Sequence, residues 1–465
     1  MSLYAWIPLV AAVASCWLLL NRWAFRDLMS PFNLLLPCWI FPLLLTMLHL
    51  SYKERPWSTE TLLMIGWTTI AMATVSFGAS QFLGRRREIW PPSSFGVMVN
   101  FLRRRSVTVA LLLWYLFGIT ATIYNEFITN PIGIPVLTYL RTPDISREPY
   151  WQWKGSLWML SIPAFTLTPV FYLKFKIETR RLPKLMFLAI AFSYPLLEIL
   201  KLSRSECIYG LSTILLVHYY YQKRTGGPSR KLRRPLSGFF RTLGIAAVVV
   251  LLALGSATLF QQLRGNRPMA KSSRGLQIKT DLPEPYASTV DEIYGYFALP
   301  FENFSNLVNN YHGGTNLGVG VLRPLYSIVG LGRIPREEIE SIDFDQYFLM
   351  LPVNTYPFLS SIYAESGWAG ILIAPLLYAI GINFLYLVFR LRPTIEMLVL
   401  YTTMVSYCWL WVFSNQNFTG VQYYLYALAI YPIMQSIAIF RAPRQLRTRT
   451  ALGEKTAETT PSNPA

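Results

Sequence analysis

An all-α, multi-pass membrane protein is the fold class this sequence predicts, and three observations predict it. Apolar residues make up 53% of the 465-residue chain and charged residues only 14%, well under the roughly 25% usual in soluble domains. Apolar windows of 16 to 23 residues recur along its length, each able to cross a hydrocarbon core of about 30 Å as a helix. Lysine and arginine concentrate in every second connection between those windows, the pattern expected of loops retained on the cytoplasmic side.

In chain order the apolar windows are 3–20, 31–50, 61–83, 106–124, 156–175, 185–200, 206–222, 242–262, 358–389, 393–413 and 421–440, so about eleven transmembrane helices are expected. The ninth is too long for one upright span and must tilt, kink or begin outside the bilayer. The sixth is short and needs help from its flanks. Residues 1–440 therefore read as one multi-pass membrane domain, with one long polar interval, 263–357, set between two spans. The stretch 441–465 ends in Thr-Thr-Pro-Ser-Asn-Pro-Ala and reads as a disordered cytoplasmic tail.

Orientation follows from the basic residues. Arg22 and Arg26, Arg85–Arg87 with Arg103–Arg105, Lys174–Lys184, Lys223–Arg241, Arg390 with Arg392, and the tail from Arg441 hold 27 of the 42 lysines and arginines. These mostly short connections are assigned to the cytoplasm, which puts the N-terminus and the 263–357 loop outside and the C-terminus inside. The formal net charge of +18 is then a record of topology. No basic patch on a folded soluble domain exists to suggest nucleic-acid binding.

The four cysteines, Cys16, Cys38, Cys207 and Cys408, all fall in apolar windows, so no disulfide framework is implied. With no Cys-x-x-Cys and only His49, His218 and His312, the sequence predicts no metal site and no cofactor. The first apolar window lacks a basic start and a small-residue cleavage site, and is expected to be a retained helix.

Chemistry is expected in the long outer loop and its neighbours. Lys201 and Arg204 occupy the tight connection between the sixth and seventh windows, and Arg264 and Arg267 follow the eighth. Each pair is spaced three apart, which puts both bases on one face of any helical extension. Such bases can grip a phosphate or diphosphate, arginine with a bidentate fork, or can simply reach lipid headgroups. The run Asp291–Tyr311 has near-helical spacing, interrupted at Pro300. Ile293, Tyr294, Phe297, Phe301, Phe304 and Leu307 form a stripe suited to the membrane surface or to packing on the bundle. Glu302 and Asn303 within it can line a sugar subsite. His312, with an ordinary pKa near 6.5, is either a general base or a surface residue.

From within the loop to the ninth window the chain reads Gly318-Val-Gly-Val-Leu-Arg323-Pro, then Pro352-Val-Asn354-Thr-Tyr356-Pro-Phe-Leu-Ser-Ser-Ile-Tyr363-Ala-Glu365-Ser-Gly367-Trp-Ala-Gly370, then an apolar helix to Gly381. With Ser203-Arg204-Ser205 and Leu263-Arg264-Gly265, this resembles the oligosaccharide repeat-unit polymerases, the Wzy-type O-antigen and exopolysaccharide polymerases. It departs from them in carrying Glu365-Ser366 where Asp and an aromatic are common. Where the related peptidoglycan polymerases carry a further acid eight residues upstream of that position, this chain has Pro357.

The resemblance implies a GT-C-like fold in the inner (cytoplasmic) membrane. It implies a glycosyltransferase that moves a glycan from an undecaprenyl-diphosphate carrier to the non-reducing end of another carrier-linked unit, without cofactor. The partners it implies are lipid-linked oligosaccharides, membrane lipids, a chain-length regulator and a flippase. On that reading Arg204 and Arg264 hold the diphosphate, with Lys201, Arg267 and Arg323 as further cations. Glu365, Glu302 and His312 are the acid–base candidates, and Asn303, Asn354, Tyr356 and Tyr363 contact sugars. Glu365 also has a plain structural reading, capping the ninth helix while Gly367 and Gly370 allow close helix packing. An O-antigen ligase and a lipid-linked glycan flippase are the competing functions. The near absence of mid-span charge disfavours the flippase.

Overall fold

The computed structural model describes residues 6–20, 27, 29–51, 54–84, 90–129, 158–200, 204–225, 286–311, 347 and 356–408. Among them the chain is all-helical. Four helices are long and apolar enough to cross a membrane: Thr59–Ala79, Arg105–Ile128, Arg181–Leu200 and Leu359–Leu391. The eighth and eleventh windows and the tail lie outside the described residues.

Helix α1 spans Trp6–Leu20. The second window becomes α2 (Pro31–Leu35), a π-turn (Leu36–Ile40) and α3 (Phe41–Thr46). Ser30 caps its start by accepting from the Asn33 amide. Pro37 and Pro42 lack the amide a regular α-helix would use, which accounts for the widened turn between them. Helix α4 (Thr59–Gly84) is opened by Ser58, whose hydroxyl accepts from the Thr61 amide at 3.2 Å, and has Glu60 in its first turn, where the helix dipole favours an acid. A short helix absent from the sequence expectation, α5 (Pro92–Arg103), precedes α6 (Arg105–Ile123) and its terminal π-turn (Tyr124–Ile128).

The fifth window does not form one span. It breaks into a 3-10 turn (Trp158–Ser161), α7 (Ile162–Thr166) and α8 (Thr168–Ile177), with Pro163 and Pro169 each in the first turn of a new helix, the position proline favours. The sixth span is longer than its apolar window: α9 runs Arg181–Leu200, because Arg181 and Lys184 are tolerated at a helix end. Then come α10 (Arg204–Thr225), α11 (Tyr286–Asn310), α12 (Leu359–Leu391) and α13 (Ile395–Cys408).

Two groups of helices form the bundle. Helix α4 packs against α1 and α12, while α8, α9 and α10 pack on one another, and α13 touches both α10 and α12. Helices α4 and α12 run parallel, since Trp368 meets Glu60 near their starts and Asn383 meets Ser76 further along. Sixteen residues of α4 and fifteen of α12 separate those contacts, roughly 22–24 Å.

The ends of the bundle are chemically distinct. At one end the backbone amide of Trp90 donates to Arg390, Lys174 reaches Leu102 and Thr108, and the Tyr221 hydroxyl donates to Lys176. The connections near residues 90, 104, 176, 223 and 390, which carry much of the basic charge, therefore gather there. The connections at 49–58 and 356–358 gather at the other end. Asp27 is the hub of the basic end. It accepts hydroxyl hydrogen bonds from Tyr219 at 3.1 Å, Tyr220 at 3.3 Å and Tyr386, and faces Lys223 at 3.7 Å.

Candidate functional site

The end opposite Asp27 is where three separate stretches of sequence converge. Helix α11 packs on α3, α4 and α12, so the connection at 47–58 and the first turns of α12 both lie against it. The aromatic stripe explains why. Tyr294, Phe301, Phe304 and Leu307 are buried at 2% exposure or less, Phe301 against Trp39 and Trp57 and Phe304 against Tyr363. Of the two uses foreseen for this stripe, the structure shows packing on the bundle. Pro300 does not interrupt the helix as expected; α11 continues through it, held by the burial of Leu299 and Phe301 on either side.

Glu302 sits at the centre of this convergence with 1% exposure. Its Oε1 accepts from the Trp57 indole at 2.6 Å. Beside it, the Glu54 carboxylate accepts from the Ser51 amide at 2.9 Å and from the Tyr294 hydroxyl, which itself accepts from the Leu50 amide at 3.1 Å. His49 Nδ1 lies 3.9 Å from Glu54 Oε2, and one ligand atom each of His49, Glu54 and Glu302 fall within 4.8 Å of one another. Burial, first, and the Glu54 charge, second, push the Glu302 carboxyl up to about 8, with the Trp57 indole and the Arg55 amide holding it back by donating to it. Burial and the hydrogen bond to Glu54 likewise push the Tyr294 phenol up.

The second half of the site is the start of α12. Gly367 has φ 55° and ψ −143°, a backbone region essentially restricted to glycine, and it breaks the long helix after its first two turns. This kink is how a 33-residue helix is accommodated. Glu365 lies two residues ahead of the break, at the start of the helix that follows the kink, a place that suits both readings of it. Gly370 is small for a local reason as well. A Cβ there would sit 2.7 Å from Ser366 Cβ and 2.8 Å from Ile362 Cγ2, atoms of the segment ahead of the kink rather than of a neighbouring helix. Tyr363 donates to the Tyr311 carbonyl at 3.1 Å, and Tyr311 donates to Ala364 at 3.4 Å, tying the end of α11 to the kinked segment.

No family model, curated protein or solved structure matches this chain. What can be said of the site therefore comes from its own residues.

Of the sequence-predicted residues, Glu302, Asn303, Tyr356, Tyr363 and Glu365 are drawn to this end of the molecule. Asn303 is fully buried, and Tyr356 and Glu365 are partly exposed. Arg204 is the first residue of α10, sixteen residues or roughly 24 Å along the helix from Tyr220 and so at the end away from Asp27. Lys201, Arg264, Arg267, His312, Arg323 and Asn354 lie outside the described residues. The site residues missed from sequence are His49, Glu54 and Trp57, while Tyr294 stands out there only as part of the aromatic stripe. The available signal was a short connection, His49–Ser58, that packs a histidine, an acid, two bases and two aromatics into ten residues. Its partner carboxylate is nearly 250 residues away, and sequence spacing does not reveal that distance.

Proposed function

We propose that the protein is a glycosyltransferase that polymerises lipid-linked oligosaccharide repeat units, passing a glycan from an undecaprenyl-diphosphate carrier to another carrier-linked unit on the outer face of the cytoplasmic membrane. The observation that carries this reading is the convergence of Glu302 and Asn303 with the Tyr363–Gly370 segment at one end of a helical bundle. The polymerase-like motif thus lies beside a second polar group from the long loop, at the end where α10 presents Arg204. Polar side chains between membrane helices can hold a sugar acceptor by hydrogen bonds. A cation at the helix start can neutralise a departing diphosphate, which is the main electrostatic demand of the reaction.

Division of labour follows from chemistry. Arg204, with Arg264 as its partner in sequence, holds the diphosphate, and Lys201, Arg267 and Arg323 supplement it. Glu365, beside the Gly367 break and partly exposed, accepts the proton of the attacking sugar hydroxyl. Asn303, Asn354, Tyr356 and Tyr363 orient the glycan. No nucleotide or metal is required by this scheme.

The deciding experiment is elongation of a carrier-linked repeat unit by the purified protein in detergent. Products longer than one unit are expected from the wild-type chain. Arg204→Ala and Glu365→Gln, both still inserted and folded, should lower the rate by at least about a hundredfold. In cells, loss of the gene should remove the long-chain ladder and leave single units on lipid. Retention of long carrier-linked chains with loss of surface attachment would instead identify a ligase.

A further inference from the structure

We propose that His49, Glu54 and Glu302 form a divalent-cation site, suited to Mn2+ or Zn2+, that clasps the 47–58 connection onto α11. The site shares Glu302 with the convergence on which the proposed function rests, but its test reads ion binding rather than glycan transfer, so the two readings fail separately.

The argument is geometric. One imidazole nitrogen and two carboxylate oxygens lie within 4.8 Å of one another, and His49 Nδ1 and Glu54 Oε2 are 3.9 Å apart. Ligands bound at about 2.1 Å to one tetrahedral ion are roughly 3.4 Å apart, so the group closes on a cation with side-chain movements of about 0.5 to 1.4 Å. The donor set is mixed, one nitrogen and two oxygens. That favours borderline ions over Ca2+, which takes six to eight oxygens.

The supporting hydrogen bonds resemble those of a metal centre. Trp57 donates to Glu302 Oε1, while the Ser51 amide and the Tyr294 hydroxyl donate to Glu54. Each fixes a carboxylate in position, and such outer partners hold ligands in place for a metal. Both carboxylates are sealed: the Glu54 side chain is 1% exposed and that of His49 34%, while Glu302 as a residue is 1% exposed. The imidazole is therefore the solvent-facing wall and the entry path. A dication between the two carboxylates would offset their mutual repulsion.

The location gives the ion a structural job. Glu302 belongs to α11, whereas His49 and Glu54 belong to the connection between α3 and α4, nearly 250 residues earlier. A shared ion ties the two together.

The test uses the untagged full-length protein in detergent micelles, stripped with EDTA and titrated with MnCl2 under electron paramagnetic resonance. One Mn2+ per chain is expected, with a nitrogen hyperfine coupling from His49 and a rise in melting temperature on binding. Glu302→Gln and Glu54→Gln should each weaken Mn2+ binding by at least about tenfold, and His49→Gln should remove the nitrogen coupling. Both carboxamides keep the shape of the site, and their melting in EDTA shows whether they fold. The nitrogen coupling needs only the wild-type chain. The proposal is overturned if the stripped wild type takes up neither Mn2+ nor Zn2+, if bound Mn2+ shows no nitrogen coupling, or if folded variants hold the ion as tightly as wild type.

Discussion

Asp27 and Glu302 are both nearly sealed carboxylates, 3% and 1% exposed, at opposite ends of one helical bundle, yet their surroundings differ in kind. Asp27 is met by three tyrosine hydroxyls and a lysine, and Arg390 reaches one of those tyrosines at 3.3 Å. Glu302 is met by one indole and a backbone amide, and faces a second carboxylate. In the first, every neighbour favours the charge, and the group joins the turn before α2 to α10 and α12. In the second, the Trp57 indole and the Arg55 amide favour the charge while burial and the Glu54 carboxylate oppose it. The contrast separates a carboxylate used for architecture from one poised to take a proton or a cation.

The largest expected effect comes from breaking the Asp27 hub. Asp27→Ala leaves the buried hydroxyls of Tyr220 and Tyr386, the partly buried one of Tyr219 and Lys223 without their common acceptor and should cost on the order of 3 kcal/mol. Melting of the variant in detergent within a degree of wild type would show that the tyrosines find other partners. At the other end, Gly367→Ala forces a Cβ into a backbone region reserved for glycine and should cost about 2 kcal/mol. Because the strain lies beside Glu365, its effect on elongation should exceed its effect on melting, and equal loss of both would deny the kink a special place. Trp57→Phe keeps the ring but removes the donor to Glu302, for about 1 kcal/mol; chemical denaturation of the chelated protein would measure it. The smallest effect belongs to Glu302→Gln in EDTA, a loss under about 1 kcal/mol or a gain, because a neutral amide relieves the opposition to Glu54. A loss as large as that of Asp27→Ala would erase the distinction between the two ends.

Much of the helical layout was legible because a lipid-spanning helix must be a long apolar run. The windows at 61–83, 106–124 and 358–389 correspond closely to α4, α6 and α12. Hydropathy does not register proline chemistry, so the window at 156–175 read as one span although Pro163 and Pro169 divide it. It also missed α5, a short amphipathic helix whose neighbouring Trp90 stacks on Phe95 and packs against Phe389. For the candidate site, Glu302 was singled out because an acid stood inside an aromatic stripe. Its neighbours His49 and Glu54 were not, because local periodicity carries no information about which distant connection will fold over a helix. Glu365 was found by its glycines, and it stands just ahead of the break at Gly367. Gly367 marks a break inside the helix, a function that a Gly-x-x-Gly spacing shares with close helix packing.

The paired tyrosine contacts between the end of α11 and the kinked start of α12 have a consequence for how such a chain can change over generations. Tyr311 and Tyr363 each donate a hydroxyl to a backbone carbonyl of the other's segment, so neither bond depends on the side chain of the accepting residue. An exchange at residue 364 keeps the acceptor, whereas losing either phenol gives up a hydrogen bond of about 1 kcal/mol. Sequence drift is therefore tolerated on the accepting side of this fastening and resisted on the donating side.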